Sequence, residues 1–91
     1  MEYITLNFTG CKYLSEIHKI LKDKFGFPDY YGENLSALWD CLRDYCDDGT
    51  HISIIGLTTL PKEFEEYMQK MMRIFGRIIG EKANVTIEII S

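Results

Sequence analysis

Residues 28–42 read PDYYGENLSALWDCL, and the folding of this stretch decides where the rest of the chain must lie. Pro28 stops any helix arriving from its N-terminal side. Gly32-Glu33-Asn34 breaks the chain and restarts it, because the Asn34 side-chain oxygen can accept a free backbone N–H of a new first turn. Leu35, Leu38, Leu42 and Tyr45 then recur at helical spacing, which predicts a helix with that stripe buried. Ser36, Asp40 and Arg43 fall opposite or beside the stripe, and Trp39 borders both faces. Asp40 is therefore expected to project outward, with Trp39 partly exposed and Tyr30-Tyr31 near the helix's leading end. A core needs no aspartate and a solvated face needs no tryptophan. The mixture of aromatic and charged anchors is that of a surface made to touch another protein.

Upstream, Tyr3 to Phe8 alternates, with Ile4, Leu6 and Phe8 on one side, as a half-buried strand does. Leu14, Ile17, Ile20, Leu21 and Phe25 then follow a helical period that Gly26 should end. Downstream, Asp47-Asp48-Gly49-Thr50 reads as a turn and His51 to Ile55 as a strand. Pro61 suits a first helical turn, and Glu63, Glu65 and Glu66 suit its positive end. Phe64, Met68, Met71, Phe75 and Ile78 continue the stripe, while Gly76 and Gly80 leave open whether this is one helix or two. Val85 to Ile90 forms a last strand. Strands joined through helical crossovers pair in parallel. The expected fold is a small α/β domain, one unit over residues 1–91, with a three-stranded parallel β-sheet packed against helices.

The composition narrows the function. A net charge of −4 over 91 residues argues against nucleic-acid or anionic-membrane partners, which favour basic surfaces, and suits a basic protein partner. The start, MEYITLNF, has neither a basic region nor a long apolar run, so no export signal is expected. Three cysteines, an odd number, then point to free thiols in a reducing compartment, the cytoplasm. Cys11, Cys41, Cys46, His18 and His51 lack metal-ligand spacing, so no metal or other cofactor is expected. No local pattern orients a histidine toward a thiol. His18, beside an apolar stripe, is expected to be a partly buried or surface residue. The Glu63/Glu65/Glu66 cluster and Asp47-Asp48 have helix-end and turn roles sufficient to explain them. No catalytic constellation remains, and the chain is expected not to be an enzyme.

PDYYGENLSALWDCL resembles the signature of the barstar family, intracellular inhibitors of the ribonuclease barnase. Leu14-x-x-Ile17-His18 is similar to that family's first helix, and VTIEIIS, ending at Ser91, to its last strand. The resemblance implies a monomer when free that plugs a nuclease active site with this loop and helix, without chemistry of its own. It implies that Asp40 enters a cationic phosphate pocket and that Tyr30 covers a catalytic histidine. Gly32, Asn34, Leu35 and Trp39 match further contact positions, and Tyr45 stands where the family has a tryptophan. The chain departs from the pattern at three positions. Ser36 replaces an acid, Arg43 a threonine, and Arg77 aligns with an acidic contact. These changes weaken attraction to a barnase-like site. The partner implied is a basic ribonuclease or nuclease toxin, or else another target of a barstar-like interaction module or immunity protein.

Overall fold

A computed structural model describes residues 2–90; Met1 and Ser91, the last letter of VTIEIIS, lie outside the described residues. The chain runs β1 (Glu2–Asn7), α1 (Leu14–Phe25), α2 (Leu35–Tyr45), β2 (Thr50–Ile55), two 3₁₀ turns (Leu57–Thr59 and Lys62–Phe64), α3 (Glu65–Glu81) and β3 (Thr86–Ile90). The sheet is parallel throughout, in the order β1-β2-β3. Ile4 pairs with Ile52 and Leu6 with Ile54, and these four are buried, as are Phe8 and Thr50. Their alternate neighbours Tyr3, Thr5 and Asn7 are exposed, so the helices cover one face and leave the other to solvent. That is unusual for a parallel sheet and explains why its strands alternate rather than read as apolar runs.

α1 ends where expected. Gly26 takes the left-handed conformation (φ 73°) and donates to the Lys22 carbonyl at 2.9 Å. Its start carries a device that the sequence reading missed. The Glu16 carboxylate turns back to accept the backbone N–H groups of Lys12 (2.8 Å) and Tyr13 (2.9 Å), which hold its carboxyl below the ordinary carboxylate range. α3 is one continuous helix of 17 residues. Gly76 and Gly80 both sit on its exposed side, while Met68, Met71, Phe75 and Ile78 are buried and hold it together. Pro61 does not open this helix. It precedes the second 3₁₀ turn, and only Glu65 and Glu66 lie in the first turn of α3.

Gly56 secures the end of β2. It adopts φ 85°, donates to the Ile90 carbonyl at 3.2 Å and accepts the Thr59 hydroxyl at 2.7 Å. A Cβ there would overlap the Thr9 hydroxyl oxygen and come within 2.6 Å of its backbone nitrogen. Gly56→Ala combines backbone strain with overpacking, so it should destabilise the chain by about 2–4 kcal/mol, read as a lower urea midpoint at unchanged slope.

Candidate functional site

The segment between α1 and α2 places adjacent tyrosines oppositely. Tyr30 is 84% exposed and Tyr31 only 7%. Tyr31 donates its backbone N–H to the Pro28 carbonyl at 3.0 Å and packs its ring on Phe27, centroids 4.9 Å apart. The expectation of a partly buried or surface His18 is corrected here, because His18 is 1% exposed. Its Nδ1 lies 2.7 Å from the Tyr31 hydroxyl and its Nε2 2.8 Å from the Tyr67 hydroxyl. A neutral imidazole has one N–H and one lone pair, so one phenol accepts and the other donates. One histidine thus ties the α1–α2 segment to both α1 and α3. Burial pushes both phenols up.

Burial also pushes His18 down from its ordinary value of 6.5, with Glu33 opposing in part. The unfolded chain therefore takes up this proton more readily than the native one. The resulting stability is fully present above pH 6.5 and is lost as pH falls through the lowered native value. Urea midpoints should fall between pH 7 and pH 5, and His18→Gln should remove that part of the slope.

Glu33 adopts a left-handed backbone (φ 50°) immediately before Asn34, and so turns the chain into α2. Asn34 is the N-cap, its Oδ1 accepting the Ala37 N–H at 2.8 Å while its Nδ2 donates to the Gly32 carbonyl at 3.2 Å. A Cβ at Gly32 would lie 3.3 Å from that same Nδ2. The buried stripe of α2 is Leu38, Cys41 and Leu42. Tyr45, expected to be buried, is 37% exposed, with its ring edge against Phe27 at 5.9 Å. The smaller Cys41 fits beneath the helix, and Tyr45, at its end, keeps its phenol near solvent.

Ser36, Asp40 and Arg43 are exposed, as expected. Trp39 is half-buried between two cations. The Arg77 guanidinium, from α3, lies 4.1 Å from its ring centroid and that of Arg43 5.7 Å. Arg43 also pairs with Glu81 at 3.7 Å. Leu35, Ser36, Trp39, Asp40 and Arg77 line one open cavity of about 330 Å³, together with Ile74. Sequence spacing could not place Ile74 or Arg77 there, since both reach it from α3. Tyr30 and Tyr45 stand outside this cavity, but close enough for Tyr30 to add to the upward push that burial exerts on the Tyr45 phenol.

A larger apolar groove, about 640 Å³, lies on the other flank of α3 between Leu57, Leu60, Phe64, Met68 and Met72. It was not legible in the sequence, and the residues singled out for binding are absent from its lining. The three cysteines are free and buried, and burial raises each thiol pKa, the opposite of what a thiolate nucleophile needs. Among the described residues no cluster of histidine, cysteine and acid could hold a metal ion, and no helix is long and apolar enough to cross a membrane.

Residues 1–89 match the sequence model of the family described as Barstar (barnase inhibitor). A Bacillus subtilis (strain 168) protein named "Putative ribonuclease inhibitor YrdF" is 42% identical over 65 residues, which are 71% of this chain and 64% of that protein. The match thus spans less than two thirds of the relative's own length.

Proposed function

The chain belongs to the barstar (barnase inhibitor) family, and on that premise we propose that it inhibits a ribonuclease by seating the face around Tyr30–Asp40 over the enzyme's active site. The observation that carries this reading is Asp40. Its carboxylate is exposed on a capped helix, beside a half-buried tryptophan, with no ionic partner among the described residues. A ribonuclease must be electropositive where it holds the scissile phosphate. A carboxylate set there accepts charge-assisted hydrogen bonds from arginine, lysine or histidine and displaces the phosphate. Because α2 is capped and packed on its buried stripe, and the preceding segment is tied through Tyr31 to His18, little freedom should be lost on docking.

In this proposal Tyr30 covers part of the enzyme's active site. Gly32 and Asn34 shape the approach, Leu35 and Trp39 form the apolar contact, and Ser36, Arg43, Tyr45 and Arg77 border it. The free thiols fit a cytoplasmic inhibitor that guards its own cell, acting as a monomer of one domain until it meets the nuclease. The test is direct. Barnase-type ribonucleases and the secreted nucleases of the chain's own host are assayed with on the order of micromolar inhibitor, and inhibition must be competitive with an RNA substrate. If none of them loses activity, the reading is abandoned. A second reading, an interaction module for a non-nuclease partner on the same face, draws on Arg77 beside Trp39.

A further inference from the structure

The cavity beside Trp39 carries two opposite charges that do not answer each other. Asp40 and Arg77 both line it, yet they form no ion pair within 4.0 Å, and neither has another ionic partner among the described residues. Arg43 differs, since Glu81 answers its charge at 3.7 Å and its carbonyl accepts the Lys82 ammonium at 2.6 Å. Arg77 is also held in place, its guanidinium stacked on the indole at 4.1 Å. Leu35, Trp39 and Ile74 give the same cavity apolar lining.

Resting on the docking reading above, we infer that the partner presents an acidic side chain to Arg77 beside the basic group it presents to Asp40. A protein covering this cavity strips water from both charges, and each then needs its own counter-charge. A uniformly cationic active-site face satisfies Asp40 but sets a positive charge against Arg77, and such like-charge contacts are penalised. Arg77 is thus a selectivity residue. It rejects nucleases whose active-site rim is wholly basic and admits those with a carboxylate at that point.

The probe is barnase, together with barnase variants in which each lysine or arginine around its active site is changed singly to glutamate. Binding is measured by calorimetry against the native chain, Arg77→Ala, Arg77→Lys and Asp40→Ala. Arg77 is exposed, so its variants should keep the native circular dichroism. Arg77→Ala should tighten binding of unmodified barnase about tenfold or more, while Arg77→Lys, which keeps the charge, should not. At least one glutamate variant of barnase should bind the native chain about tenfold tighter than unmodified barnase does, and that gain should vanish with Arg77→Ala.

The inference is overturned if Arg77→Ala leaves barnase binding unchanged or weaker, if Arg77→Lys behaves as Arg77→Ala, or if no glutamate variant shows an Arg77-dependent gain. Binding that depends on Asp40 but not on Arg77 removes only this inference. Binding indifferent to both, or absent for every barnase variant, removes the docking face itself.

Discussion

Asp40→Ala is expected to abolish most of the inhibition while leaving the fold intact. The side chain is exposed and outside the core, so its removal should change stability by no more than about 0.5 kcal/mol. Binding should respond very differently. In the docking proposed above the carboxylate faces the partner's cationic pocket, and its truncation would leave those cations desolvated and unpaired. Such truncations cost about 2–5 kcal/mol, or about thirtyfold to several thousandfold in affinity, a range that includes measurements on the barnase–barstar pair and is carried over from them. The loss should lie mainly in the dissociation rate, because a buried, hydrogen-bonded charge governs residence more than encounter. Stopped-flow association and calorimetry on the chain and its Asp40→Ala variant, with whichever ribonuclease it inhibits, give both quantities. Equal inhibition by the two would place the contact elsewhere.

Phe75→Ala should be the most damaging substitution for the fold itself. Phe75 is 1% exposed in the middle of α3, in the same cluster as Met71, Ile78 and the sheet residues Ile52 and Ile54. Removing its ring loses the transfer energy of the phenyl group and leaves a cavity that rigid strands cannot close, at a cost of about 3–5 kcal/mol. A chain of this length has roughly 5–14 kcal/mol in all, so about a fifth or more of the total is at stake. The Tm should fall by about 15 °C or more. The fall would be smaller only if Met71 and Met68 collapsed into the space, as flexible thioethers can.

Much of the architecture was legible because period and burial agree. Ile4, Leu6 and Phe8 announce a strand with one wet face, and Asn34 announces a helix start. Asp40 could be placed outward because Leu38 and Leu42 fix which side of α2 faces in. What was not legible depends on distance along the chain. Nothing local marks His18 as a bridge between two phenols, one 13 and the other 49 residues away. With Ile17 and Leu21 beside it, it reads as the edge of an amphipathic helix. Tyr30 and Tyr31 are the same letter twice, and only the backbone turn sends one inward. Tyr45 departs from its expected burial, and Cys41 takes a place in the buried stripe that the spacing had not assigned to it, because space beneath a helix end follows from neighbouring elements, here Phe27. The two 3₁₀ turns carry no period long enough to detect. Arg77 meets Trp39 across 38 positions, a contact that no motif spacing encodes.

The order of strands in the sheet is the order of strands in the chain. A ribosome therefore delivers β1 and β2, with α2 between them, before any of α3 exists. Over that interval Trp39 lacks the side chain that stacks on it, and Tyr31 is held from one side of His18 only, with Tyr67 still unmade. The face proposed for docking is finished only when the C-terminal third has been synthesised and packed. A chain ending before residue 65 would present Asp40 on a helix without α3 packed against it, so in the docking proposed above it should bind the partner more weakly than the chain that includes α3.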